Sequence, residues 1–258
     1  MPAWFAAMLC SALLAAEALA GPGLLIAVED DWPPYSARGA VSSAPRGLAP
    51  QLVREAFRRQ GVVVSFVTVP FARCLMLARV GRAAGCLSVT ITDDNREQFW
   101  WHQTPMFTEE LAIFARAASG DAGLGLKDLI GRRVGITQDY TYPSAFYRDV
   151  RIMKSVAASD EDLIRMLLAR RVDYVLMNAL PGQLRIRGNP DAAGRVRKVG
   201  SISQDGFWLA FSKARAQGRE SAAQLEAGLR AMRKDGSYAS MLLKVDSGMK
   251  ADGPSRTD

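Results

Sequence analysis

One histidine, His102, and three cysteines are all the soft metal ligands that 258 residues supply. They form no cluster with the spacing of a zinc site, which sets a metal centre aside. No glycine-rich phosphate loop, nucleophile elbow or paired-histidine helix motif occurs either. Lysine and arginine outnumber aspartate and glutamate by 33 to 26, a formal charge of +7. Yet the cations are scattered, without a long basic run or aromatic–basic alternation, and this argues against a nucleic-acid surface. The excess implies no more than a weak attraction to anionic ligands or membrane surfaces. Beyond residue 20 no apolar run approaches the length of a membrane span.

The first twenty residues, MPAWFAAMLCSALLAAEALA, hold one charge and end on Ala18-Leu19-Ala20. An apolar stretch closing on A-x-A reads as a secretory signal peptide, residues 1–20, although it lacks the usual basic start; a short membrane anchor is the competing reading. Export leaves Cys74 and Cys86 in an oxidising compartment. One disulfide and two buried thiols are both open.

From there strands and helices alternate. LLIAV reads as a strand, GLAPQLVREAFRRQG as an amphipathic helix and VVVSFVTV as a strand. FARCLMLARVG is a second helix and AAGCLSV a third strand. ITDDNREQF carries helix-start chemistry. A Gly/Ala/Ser-rich stretch at 115–125 reads as a linker. A second alternating set follows, with RRVGI, RIMKS, VDYVLM and GFWLAF as strands. Its helices are YPSAFYRD, SDEDLIRMLLARR, ALPGQLRI and the closing pair ESAAQLEAGLRAMRKDG and SYASMLLKV. Such alternation predicts α/β units with mostly parallel sheets, whose ligands bind beyond the carboxyl ends of the strands.

Several of these stretches, in this order, carry a resemblance: VEDDWPPYS, TITDDNREQF, DLIGRRVGITQDYTYPSAF, RVDYVLMN and FWLAFSKARA. Over residues 24–246 the chain resembles periplasmic solute-binding proteins of family 3, the amino-acid ABC transporter type. The resemblance implies a two-lobed type II periplasmic-binding-protein fold, each lobe a mixed, mostly parallel sheet flanked by helices, with a two-strand hinge. It implies lobe 1 at 22–115 plus 206–247, lobe 2 at 116–205 and a flexible tail at 248–258. It also places the crossing strands at ELAIFAR and GFWLAF.

By the same resemblance Trp32, Tyr35 and Phe71 wall a cleft between the lobes, though aromatics around two prolines could equally plug a core. Arg96 would clamp a ligand carboxylate, with Arg73 a second cation, and Ser88 and Thr90 would offer hydroxyls. Thr141, flanked by Tyr140 and Tyr142, would sit at a helix N-terminus suited to an anion. Where amino-acid binders place an acid after VDxxx, this chain has Asn178, leaving Glu29 or Asp31 to meet an ammonium, or a ligand without one. The expectation is therefore a small polar solute bearing a carboxylate, an amino acid or a related organic acid. It would be captured by a periplasmic monomer and passed to the membrane permease of an ABC transporter, without cofactor or nucleic acid. The competing readings are a sensor that docks on a receptor and a dehydratase-like enzyme. His102 reads as a packed or surface residue rather than a general acid, and Asp93 and Asp94 show no paired geometry, so catalysis is not expected.

Overall fold

The computed structural model describes residues 23–39 and 44–251, with side chains as far as residue 244. The expected signal peptide and the last seven residues of the tail lie outside the described residues.

One sheet takes, in order, β4 (Val64–Val69), β1 (Leu24–Glu29), β5 (Gly85–Val89), β11 (Val196–Ser212), β7 (Phe107–Arg116), β10 (Tyr174–Asn178), β8 (Arg133–Thr137) and β9 (Met153–Ala157), with β6 (Phe99–Trp100) paired to β11 off this path. In the first half, β1 (Leu24–Glu29) is buried at five of its six positions, as a strand covered on both faces must be. It lies parallel to β4 (Val64–Val69) and to β5 (Gly85–Val89). The crossovers are α1 (Leu48–Arg58) and α2 (Phe71–Arg79). A short ribbon of β2 (Asp31–Trp32) and β3 (Ser36–Ala37) follows β1. In the second half, β8 (Arg133–Thr137) lies between β9 (Met153–Ala157) and β10 (Tyr174–Asn178), parallel to both. Here α3 (Ser144–Tyr147) is a single turn. The next helix, α4 (Asp160–Leu168), starts where Ser159 Oγ accepts from the amide of Asp162, an N-cap legible in the sequence. A third, α5 (Ala179–Gly188), follows β10 directly.

The halves are joined by β7 (Phe107–Arg116) and β11 (Val196–Ser212), antiparallel from Val196–Arg116 to Phe207–Phe107. Past Phe207, β11 changes partner and runs on beside β5 and β6 (Phe99–Trp100). Only its last third, GFWLAF, carries an evident strand pattern. The ladder shifts register between Lys198 and Gly200 and again between Ser201 and Ser203, which breaks the alternation that marks a half-buried strand. Two closing helices, α6 (Gly218–Lys234) and α7 (Ser237–Ala251), return to α1. Gly228 sits where they cross, and a Cβ there would lie 2.2 Å from the Ala56 carbonyl oxygen, so only glycine admits the approach. The first half packs a cluster around Phe57, Phe211 and Ile26, and the second has two clusters, one around Phe146 and one around Phe114 and Leu163.

Two local expectations are corrected. ITDDNREQF forms no helix. Its turns close through Asn95, whose side chain accepts from the Thr92 amide and donates to the Thr90 carbonyl, diverting the backbone before a second helical turn can form. The closing helix keeps its backbone to Ala251, three residues past the expected start of the tail.

Cys74 of α2 and Cys86 of β5 are bonded to each other, with Cα atoms 5.2 Å apart, inside a buried cluster. The link closes a short loop, and removing it should cost about 2–3 kcal/mol of unfolding free energy. Urea titration of the Cys74→Ser/Cys86→Ser variant measures this. An unchanged midpoint would mean that the link contributes nothing to stability.

Candidate functional site

Between the two halves lies a cavity with an empty volume of about 490 Å³, part of it open to solvent. The first half contributes Glu29 from the end of β1, Ser88 and Thr90 from the end of β5, and the rings of Trp32 and Phe71. The second contributes Tyr140, Thr141 and Tyr142 from the segment after β8, and Asn178 from the end of β10. All stand at or just beyond the carboxyl ends of parallel strands, where chain termini of the pleat leave room for side chains to converge.

Glu29 is buried and accepts a hydrogen bond from Tyr140 Oη, 2.6 Å away, so this contact crosses from one half to the other. Phe71 meets the same Tyr140 ring edge-on at 5.7 Å. Burial pushes the Glu29 carboxyl up to about 8, against the pull of the Tyr140 hydrogen bond; Asp160 and Asp31 push the same way and Arg185 opposes them. The Thr90 hydroxyl donates to the Gly206 carbonyl at 3.2 Å. Ser88 Oγ is buried without a partner, on a residue at φ 62°, a conformation uncommon outside glycine. The Asn178 amide, at the N-cap position of α5, makes no capping bond to that helix.

An adjoining cavity shares Glu29, Phe71 and Tyr140 and is lined further by Asp31, Asp160 and Arg185. Arg185 is spoken for: it reaches Asp31 at 3.2 Å and Asp160 at 3.5 Å, pairs with Glu161, and donates to the Asp31 carbonyl at 2.7 Å. Asp160 in turn accepts from the Thr137 hydroxyl at 2.5 Å.

Several expected site residues are placed elsewhere. Arg96 is exposed and does not line either cavity. The Asn95-closed turn carries it outward, and what Arg96 offers inward is its backbone carbonyl, bonded by Trp101 Nε1 at 2.8 Å. Arg73 is also exposed, on the outer face of α2. Tyr35 is a core ring rather than a cavity wall: it stacks on Phe107 at 4.5 Å, and its hydroxyl donates to Glu109. Trp32 belongs to both, touching Tyr35 and Phe207 while facing the cavity. The turn at Thr141 leads into α3, too short a helix to present an anion-binding end, and the Tyr142 hydroxyl accepts from the Thr137 amide instead. His102 is buried outside the cavity; its Nε2 accepts from the Leu209 amide, its Nδ1 lies 3.7 Å from Glu226, and burial lowers its pKa.

Sequence reasoning missed Asp205 and Phe207, which line the cavity from β11, together with the aliphatic floor of Leu111, Leu176 and Met177. Glu109 of β7 was also missed. It accepts from Tyr35 and from the Leu180 amide at the start of α5, so one carboxylate holds the first loop and a second-half helix to the crossing strand. Burial raises the pKa of both Glu109 and Asp205. Reading GFWLAF as the whole strand put Asp205 in a loop, and no local pattern distinguishes it there.

The model of the bacterial extracellular solute-binding proteins, family 3, matches residues 24–245, and the chain belongs to this family. Among curated proteins none matches it. Solved structures share its fold. A histidine kinase sensor domain similar to periplasmic binding proteins aligns with TM-score 0.76 at 24% identity, covering 87% of this chain and 96% of that one. An ancestral arginine-binding protein with bound arginine aligns at 0.72 and 22%, covering 87% and 98%. An amino-acid ABC transporter substrate-binding protein of Streptococcus pneumoniae, bound to L-arginine, aligns at 0.71 and 17%, covering 90% and 97%. The architecture is the two-lobed type II periplasmic-binding-protein fold.

The Glu29 carboxyl couples the site to stability. Unfolded, it loses its proton near 4.5; folded, near 8. Between those values the native state retains a proton that the unfolded state has released, so stability falls as pH rises, by at most about 1.4 kcal/mol per pH unit. Relative to the parent, Glu29→Gln should therefore gain melting temperature progressively from pH 5 to pH 8. A difference independent of pH would show that Glu29 ionises normally in the native protein.

Proposed function

We propose that this member of the extracellular solute-binding family captures a small polar solute in the cleft between its lobes and is released from it by reopening. Lobe 1 is taken as 22–115 plus 206–247 and lobe 2 as 116–205, with β7 and β11 as the hinge. The observation that carries the reading is a cavity lined from both lobes, bridged by the Glu29–Tyr140 hydrogen bond and the Phe71–Tyr140 ring contact. A solute that touches both walls interacts more strongly with the closed arrangement than with an open one, and this difference is what shifts the population. Aromatic walls supply contact area at little cost in rotamer entropy, while Ser88, Thr90, Thr141 and Asn178 supply orientation. Capture of this kind needs no covalent step and no cofactor. The protein acts in the periplasm after export, and its closed form docks on the permease of an ABC transporter. Arg96, expected to clamp a carboxylate, is exposed and lines neither cavity.

A second reading, delivery of the occupied form to a sensor kinase, is favoured by the likeness to a kinase sensor domain. The two share the capture step and differ in the partner.

A thermal-shift screen of amines, amino acids, small organic acids and sugars tests capture. A ligand at 100 times its dissociation constant adds about 2.7 kcal/mol of stability. Phe71→Ala is expected to weaken the hit about tenfold, or about 1.4 kcal/mol, by removing one wall. No shift across the panel, with the protein folded and stripped of carried-over ligand, would overturn solute capture. Consumption of a hit would show an enzyme.

A further inference from the structure

We propose that the solute this cleft takes is a small organic cation without a carboxylate, held between Glu29 and Asp205 against the aromatic walls. This rests on the capture reading and narrows it.

The chain carries a net positive charge, yet its cleft is acidic. Glu29 and Asp205 both line the inner cavity, and among the described residues no lysine or arginine does. The adjoining cavity adds Asp30, Asp31, Asp139 and Asp160 against one lining cation, Arg185, and Asp30 is paired with Arg38 at 2.9 Å. Arg185 already faces Asp31, Asp160 and Glu161, so it has no unshared charge to give a ligand carboxylate. An amino acid would bring its own carboxylate among these acids, and no lysine or arginine lining the inner cavity offers it a counter-charge. A zwitterion is therefore disfavoured, and a simple acid more so. A cation meets the opposite situation. Buried carboxylates are stable when paired, and the partners that Glu29 and Asp205 have here are neutral hydroxyls, those of Tyr140 and Ser203.

The walls agree with the charge. Trp32, Phe71, Tyr140, Tyr142 and Phe207 present rings to the cavity, and a ring face attracts an ammonium or guanidinium within about 6 Å. Ser88 Oγ is the independent pointer to a ligand. The residue is nine-tenths buried and lines the cavity, and its hydroxyl, able to accept as well as donate, lacks any partner among the described residues.

Filling the site would also move a proton. Burial holds the Glu29 carboxyl protonated near neutral pH, with Tyr140, Asp160, Asp31 and Arg185 around it. A cation beside it favours the ionised form, so binding releases a proton, and affinity weakens as pH falls below about 8, by up to about tenfold per pH unit.

Matched probes decide the matter in calorimetric titrations of the purified protein: agmatine against L-arginine and putrescine against L-ornithine, which differ by one carboxylate, and choline against glycine betaine, in which a carboxylate replaces the hydroxymethyl group. In at least one pair the carboxylate-free member should bind at least tenfold more tightly. Glu29→Gln and Asp205→Asn should each weaken it tenfold or more while the circular dichroism spectrum is kept. Should one variant misfold, the other decides. Equal or tighter binding of the carboxylate-bearing members overturns the cation proposal and leaves solute capture standing. Tight cation binding that neither folded variant weakens overturns the assignment to these two acids. If no probe of either kind binds, the cation proposal falls. Capture falls with it only if the wider screen of acids and sugars is silent too.

Discussion

Backbone hydrogen bonding along the antiparallel pair β7–β11 is the constraint on which the rest depends. Ten residues of β7 run beside the first two-thirds of β11, and the remaining third is handed to β5. Because main-chain donors and acceptors cannot be left unpaired in the interior, this ladder must persist whatever the two halves do relative to each other. It therefore fixes where they can pivot. The acid Glu109 lies on this ladder and ties Tyr35 and the start of α5 to it. The walls of the cavity are positioned from a common reference.

Away from that ladder the two halves touch through few and unequal contacts. The Arg148–Asp94 pair spans them at 2.9 Å, but both partners are more than half exposed, and such pairs contribute little in water. The Glu29–Tyr140 bond is better shielded, whereas in the Arg185–Asp31 pair the arginine is buried and the aspartate exposed. Each of these groups also has something to lose on opening less than a buried apolar interface would. Polar groups that part can be taken up by solvent, whereas parted apolar faces cannot.

The alternation of strands and helices was legible because each crossover unit carries its own punctuation: Ser159 before α4, Gly61 after α1, Pro70 before α2. The positions that line the cavity from loops after strands were legible for the same reason, since topology alone puts strand ends there. What escaped was decided by tertiary context. Arg96 depended on whether ITDDNR made a helix or a turn, and a single side chain, Asn95, settled it. Tyr35 and Trp32 are three residues apart and look equivalent in sequence, yet only the partner strands β7 and β11 determine which ring is stacked away on Phe107. Asp205 was hidden by two irregularities in β11 that no residue pattern announces.

The Cys74–Cys86 link stands three residues after Phe71 and two before Ser88. It thus clamps together the helix that supplies one wall of the cavity and the strand that supplies the facing hydroxyl. The distance between an aromatic face and a polar contact is set by a covalent bond before any solute arrives. Less ordering is left to be done at the moment of binding, and preorganisation of this kind appears as affinity. A chain with free thiols would have the same residues around its cleft and a looser tie between the helix and the strand that carry them.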